Sequence, residues 1–525
     1  MLNSSNNGSK NNRKEHRSNI GKILFSEKET YFENFNGAKI IGYVDSGKME
    51  DVNIGDYLVI FRQDQDLKLY SIVEKKETFP IDTARFGHAI IGTTTKLQLK
   101  PFREVVIDEN YNGRCRSHNI KGFELAFPNR EEIDDIFNIP PAGLTLGHIE
   151  AGFSRTVFKY PLLPDHPRFQ SWLISGVQGA GKGNLVKLFV QSLYSKTNDT
   201  IIILDREGEY SNFTKFEDLP NESQQFFKNN GIKTIEPRVF KLSNDIFEAT
   251  ATLSIKSIHA RDILQLIPDV PITSAHVLDS IASESVWRMK KFEIPFTLQN
   301  LFKEIHKELH SSQLLTGAAG AQVRGAIERA LSPQSFHLFD QPGKIPLTPE
   351  TLFKEKTINV IDCSTLSTDQ QRMTALDLFL MINKYKFTEN MREPGIQFII
   401  DEAEVLFPKV LSGNEKYFVP RIAELASEPV KRGRKRKFGI TLVTHLVGDV
   451  SPRIAQLCNN VAAFKTAGSK TWIRDHFGKE RVNEIETLPN FEFYLSTVKT
   501  GWPFVGKIKV PAVCHKKEVM EKIWA

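Results

Sequence analysis

A lysine that closes a glycine-rich loop can grip phosphate, and paired carboxylates at the end of a buried strand can hold a metal ion and steer a water. This 525-residue chain offers both. Gly176-Val177-Gln178-Gly179-Ala180-Gly181-Lys182 follows the apolar run Trp172-Leu173-Ile174 and precedes a helix-like stretch at 184–190. In a strand–loop–helix setting the glycines let successive backbone N–H groups point inward. The helix N-terminus adds a positive dipole, and Lys182 reaches the β- and γ-phosphates. The next residue is Gly183, where a Ser or Thr hydroxyl ordinarily ligates Mg²⁺. Nucleotide binding tolerates that change better than hydrolysis does, and Asn184 or a water is left to supply the missing oxygen. The carboxylate pair ends Ile396-Gln397-Phe398-Ile399-Ile400-Asp401-Glu402. There Asp401 suits the Mg²⁺ shell and Glu402 suits the base that polarises an attacking water.

Two further clusters fall at strand ends. Asp205-Arg206-Glu207-Gly208-Glu209-Tyr210 follows the apolar run 201–204, which puts Asp205 and Glu209 where α/β sheets place their ligands, although a polar turn leaving a strand reads the same way. Lys431-Arg432-Gly433-Arg434-Lys435-Arg436-Lys437 carries six cations in seven residues, directly before the strand-like Phe438–Val443 and Thr444-His445. Such a run is most often a solvated face or an import signal. Its place beside the nucleotide motifs favours a sharper reading, with one Arg meeting a neighbouring subunit's γ-phosphate and the remaining cations meeting DNA phosphates.

These motifs need a scaffold, and the pattern of the chain supplies one. Residues 1–19 are polar and mildly basic, with too few apolar groups to offset ordering entropy, and read as a disordered tail. From 20 to 106, short β-type runs recur between turn signals such as Asn53-Ile54-Gly55-Asp56, which predicts a small barrel or sandwich. Residues 107–150 read as a mixed connector. Beyond 150, apolar runs at 171–175, 200–204, 357–361, 397–400 and 439–443 alternate with helical stretches, the signature of a parallel sheet covered on both faces. Residues 211–350 read mostly helical and look like an insertion in that α/β domain.

Composition narrows the function. Lys plus Arg number 69 against 63 Asp plus Glu, a net charge of +6, so a polyanionic partner needs local clustering of charge. Apolar runs are strand-sized, well short of the ~20 residues a spanning helix requires. The four cysteines, Cys115, Cys363, Cys458 and Cys514, are too dispersed for a zinc knuckle or a disulfide framework, and a reducing cytoplasm is the expected setting.

The ordered set of motifs resembles the HerA-type ATPases, relatives of the FtsK DNA pumps. It runs from the β-barrel at 20–106 through Pro140-Pro141-Ala142-Gly143, Leu173 to Lys182, the D-x-x-G-E-Y pattern at 205–210 and the helical insertion. It continues with Ile400-Asp401-Glu402-Ala403, Phe407-Pro408, Gly433-Arg434-Lys435, Phe438-Gly439-Ile440, Thr444-His445 and a final segment near 488–511. The resemblance implies a RecA-like P-loop core preceded by a HAS-type barrel, assembled as a hexameric ring that uses ATP and Mg²⁺ and threads double-stranded DNA. It also implies a NurA-like or other effector nuclease as partner, docked through the barrel. By position, Lys182 binds phosphate, Asp401 serves Mg²⁺, Glu402 is the catalytic base, Arg434 or Arg436 is the finger given in trans, and Lys431, Arg432, Lys435 and Lys437 meet DNA. The family's usual Thr-Gln stands here as Thr444-His445, where His keeps a donor for the γ-phosphate. Gly183 motivates a different reading, a nucleotide-binding ring that scaffolds a nuclease and hydrolyses weakly. A conjugation- or secretion-type ATPase is a further alternative.

Overall fold

The computed structural model describes residues 21–23, 40–44, 52–62, 65–82, 91–106, 111–113, 123–137, 139–151, 154–161, 169–254, 272–311, 317–330, 338–410, 415–466, 469–497 and 505–513. The expected tail at 1–19 lies outside these residues. The chain divides into two units, one made of residues 1–139 with 150–156 and the other of 140–149 with 157–525.

The first unit is an antiparallel barrel. Its strands are β1 (Gly21–Ile23), β2 (Ile40–Val44), β3 (Tyr57–Arg62), β4 (Gln65–Asp82), β5 (Ile91–Val106), β6 (Tyr111–Gly113) and β7 (Glu124–Ala126). They pair in the order β2-β1-β7-β3-β4-β5, and β2 pairs again with β5, so six strands close and β6 hangs on β5. Closure removes the exposed edges that an open sheet of this size would carry. Alternating residues such as Leu58, Ile60, Leu67, Leu69, Val73, Leu97 and Leu99 point inward and form its core. The turn read at Asn53 is present: the Asp56 carboxylate accepts from Asn53 N, and Gly55 takes φ +95. The barrel extends past residue 106, because β7 fills the gap between β1 and β3. A three-residue strand leaves too short an alternation to be read from sequence. Helix α1 (Arg130–Phe137) follows, and its Glu132 takes an ion pair from Lys68 of β4 at 2.8 Å.

The second unit is built on an eleven-stranded sheet. Its members are β8 (Gly143–Ala151) and β9 (Ser154–Pro161), of which residues 150–151 and 154–156 count with the first unit, then β10 (Trp172–Ser175), β11 (Thr200–Asp205), β12 (Arg238–Lys241), β15 (Thr357–Asp362), β16 (Ile396–Ile400), β17 (Phe438–Thr444), β18 (Asn460–Ala463), β19 (Glu492–Thr497) and β20 (Val505–Lys509). A separate parallel pair joins β13 (Ala251–Leu253) and β14 (Ile345–Leu347). The main order is β12-β15-β11-β16-β17-β10-β18-β19-β20-β8-β9. The seven strands from β12 to β18 are parallel, and β19, β20 and β8 continue antiparallel. Strands β10, β11, β16 and β17 are buried along their whole length, which is why each reads as an unbroken apolar run.

Helices α2 (Lys182–Lys196) and α3 (Asn221–Asn230) follow β10 and β11 in the chain. The predicted insertion contains α4 (Ile272–Lys291), α5 (Leu298–Ser311) and α6 (Gly317–Ala330). It is less purely helical than its periodicity implies, since β12 joins the main sheet beside β15 and β13–β14 form their own ladder. Helix α7 (Thr368–Asn383) starts with a capping box between Ser367 and Gln370, and α8 (Glu415–Arg432) ends in the basic run.

Candidate functional site

Parallel register brings the sequence motifs to one edge. Ser175 pairs with Thr444, Leu204 with Ile400 and Asp205 with Asp362, so the carboxyl ends of β10, β11, β15, β16 and β17 line up. β17 lies between the loop strand β10 and the acid strand β16. Its end therefore sets His445 between Lys182 and Glu402.

The loop from Gly176 to Gly181 turns the chain from β10 into α2. Gly181 takes φ +109, and a Cβ there would lie 3.1 Å from the backbone of Phe491. Only glycine meets both demands at low cost. The first turn of α2 presents amides without intrahelical carbonyls, a ready cradle for an anion. Lys182 is buried, and its Nζ donates to the carbonyls of Gly176 (2.7 Å) and Val177 (3.2 Å) and to Nδ1 of His445 (3.1 Å). Burial lowers its pKa, against the raising influence of Asp401, Glu404, Glu209 and Glu402. With Nδ1 accepting, the ring proton of His445 belongs on Nε2, 3.4 Å from Glu402 Oε1.

Glu402 is held from the other side by Arg206, whose NH1 lies 2.6 Å from Oε2 while its Nε donates to Gln371 Oε1 at 2.7 Å. Gln371 in turn donates to the carbonyl of Cys363 at 3.0 Å. Arg206 is 6% exposed, so this is a fixed, largely desolvated fork rather than a surface pair. Glu402 also sits at φ +47, a conformation that costs a non-glycine residue energy and that clusters at working sites. Lys182, His445, Glu402, Arg206 and Gln371 thus form one connected chain.

Asp401 is 8% exposed. Burial, together with the charges of Glu209, Asp205 and Glu402, pushes its pKa up to about 7. Glu404 accepts from His445 N through Oε1, while its Oε2 is buried with no hydrogen-bond partner among the described residues. The carboxylates whose charges act on Lys182 include Glu404, with its unpartnered Oε2, and the buried Asp401, and carboxylate oxygens are the hard donors that suit Mg²⁺. Among the described residues no three of these carboxylates converge as a metal cluster, so an ion here would share its shell between Asp401, the phosphates and water, and would neutralise phosphate charge as it develops. Glu402, held by Arg206 and His445, is a carboxylate chemically able to orient a water.

Residues 169–382 match the family model described as "Helicase HerA, central domain". That stretch is similar to the central domain of the HerA helicases. No curated protein matches the chain. Among solved structures it is similar to VirB4 of Thermoanaerobacter pseudethanolicus, at 14% identity over 71% of this chain and 97% of that one, with a TM-score of 0.48. It is also similar to the bacterial conjugative coupling protein TrwBdeltaN70 (14%, 68% and 88%, TM-score 0.45). A third is the genome packaging NTPase B204 from Sulfolobus turreted icosahedral virus 2 (14%, 66% and 100%, TM-score 0.31).

The structure redistributes some expected roles. Asp205 was expected to contact nucleotide, but its carboxylate is consumed by its own turn. Oδ1 accepts from Gly208 N (2.9 Å) and Glu209 N (3.1 Å), and Oδ2 accepts from Tyr210 N (2.8 Å). Burial pushes its pKa up to about 6 despite those donors. Its work is to shape the turn that presents Glu209. Asn184 cannot replace the hydroxyl missing at 183, because its Nδ2 donates to the carbonyl of Pro511 and its Oδ1 accepts from Val513 N, both at 2.7 Å and both buried.

The basic run lies at the other edge of the sheet. Arg434 and Arg436 belong to a 3₁₀ turn (Gly433–Arg436) before β17, whereas Thr444 ends that strand beside Ser175. Seven residues of strand separate the two ends by roughly 20 Å. Neither arginine reaches Lys182 of its own chain, which leaves action in trans as the only route for a finger. Lys431, Arg432, Arg434 and Lys435 are exposed, while Lys437 is ion-paired with Glu393. Sequence reading passed over three members of the site, Arg206, Gln371 and Glu404. Two of them stand one position after Asp205 and two after Glu402, the only local signal they carry.

Proposed function

We propose that the chain is an ATP-hydrolysing DNA translocase or helicase of HerA type. It acts as a ring, hexameric by the family resemblance, on double-stranded DNA with a NurA-like or other effector nuclease. The observation that carries this reading is Glu402 fixed between Arg206 and His445, with His445 also on Lys182. That arrangement ties a water-orienting carboxylate to the phosphate-binding lysine and gives the γ-phosphate a route to the base. The exposed cations at 431–435 lie about a strand length away, so they serve a neighbouring subunit or DNA.

Purified protein is expected to hydrolyse ATP with Mg²⁺, with duplex DNA raising turnover several-fold, and to form closed rings in electron micrographs when nucleotide and DNA are present. Neutralising Lys431, Arg432 and Lys435 together should weaken DNA binding and flatten its salt dependence by about three units of slope at most. Rings that bind nucleotide but show no DNA-stimulated turnover would favour the scaffold reading that Gly183 motivates. Dispersed monomers indifferent to DNA would refute both.

A further inference from the structure

The position after the P-loop lysine is Gly183, so the hydroxyl that ordinarily reaches the nucleotide's divalent ion is absent. A Cβ built on Gly183 would meet two atoms within 4 Å, Glu209 Oε2 at 3.3 Å and the Tyr210 hydroxyl at 3.8 Å. A carboxylate oxygen therefore stands in contact range of the point where a side chain at 183 would begin. Its backbone is well anchored. Asp205 gathers the amides of Gly208, Glu209 and Tyr210, Gly208 takes φ +77 to close the turn, and Tyr210 is buried with Lys187 over its ring. Glu209 itself is exposed, which leaves its oxygens open to an ion that keeps part of its water shell.

Resting on the nucleotide-site reading above, we propose that Glu209 takes the place of the absent hydroxyl and supplies a carboxylate oxygen to the divalent cation that accompanies the phosphates. The exchange has a consequence that a hydroxyl would not produce. Without the cation, Glu209 adds a negative charge beside the phosphates and opposes them. With the cation it becomes a ligand. Nucleotide affinity in this chain is thus more steeply dependent on divalent ion than in a site served by Ser or Thr.

The test is a titration of the full-length protein with fluorescent ATP analogue, in Mg²⁺ and in chelator, which requires no turnover. Glu209→Gln is expected to bind better than wild type in chelator, and its gain in affinity on adding Mg²⁺ should be about tenfold smaller. Adding Gly183→Ser to that variant should restore most of the Mg²⁺ gain, because the new hydroxyl enters the space the carboxylate bordered. Glu209→Asp, one methylene shorter, should fall between. An unchanged Mg²⁺ gain in Glu209→Gln would overturn the proposal while leaving the nucleotide site intact. Wild-type protein that binds no nucleotide under either condition would overturn the site reading and this inference with it.

Discussion

Lys182→Ala is expected to lose nucleotide affinity by about a hundredfold or more, since removing one partner of a buried, hydrogen-bonded charge contact costs about 2–5 kcal/mol. The structure explains why the loss should be large. Lys182 Nζ reaches Gly176 O, Val177 O and His445 Nδ1, and it is the cation set among Asp401, Glu404, Glu209 and Glu402. Alanine leaves those carboxylates facing triphosphate with no lysine between them. Lys182→Arg keeps the charge but not the compact geometry, and should recover little. Isothermal titration with a non-hydrolysable ATP analogue measures the effect. Affinity within threefold of wild type would show that phosphate is bound elsewhere.

Arg206 carries the second large effect. Its guanidinium bonds Glu402 and Gln371 at once, and Gln371 is anchored on Cys363. Arg206→Ala should therefore lower turnover by about 10- to 100-fold, a part of the roughly 10²–10⁴-fold that a positioned base contributes, while nucleotide affinity stays within a few-fold. It should also lower the melting temperature by a few degrees, because Gln371 and Glu402 lose a charged partner in a mostly dry setting. Arg206→Lys cannot make two diverging bonds and should resemble Ala in rate. A purely structural role predicts that rate follows stability, with Lys rescuing both. Full turnover in Arg206→Ala would remove Arg206 from the account.

The strands that build the site were legible because they are buried on both faces. Ile201 to Leu204 and Gln397 to Ile400 are unbroken apolar runs, and the structure has β11 and β16 there. The P-loop and the Asp401-Glu402 pair were legible for the same reason, each being tied to a strand end. Short pieces were not. Strand β12, only four residues long, joins the edge of the main sheet, and three-residue β7 completes the barrel, and neither length holds a period. Contacts across long separations were equally hidden. Arg206 meets Glu402 across 196 positions, and Asn184 meets Val513 across 329. Asp205 kept two readings in the sequence because a carboxylate after a strand looks the same whether it faces ligand or folds back on its own amides, and the structure shows the amide contacts. The basic run was correctly seen as adjacent to a site strand, but adjacency in sequence put it at the strand's opposite end.

One measurement bears most directly on the claim that this edge is a hydrolytic nucleotide site. It is the steady-state rate of ATP hydrolysis by Glu402→Gln, taken beside its affinity for ATP. The amide keeps the size of the side chain and one acceptor toward Arg206, but it cannot draw a proton from water. The account predicts turnover reduced by about a hundredfold or more with ATP affinity nearly unchanged. Turnover equal to wild type would contradict it, because no group whose loss leaves the rate intact can be the one that activates the water.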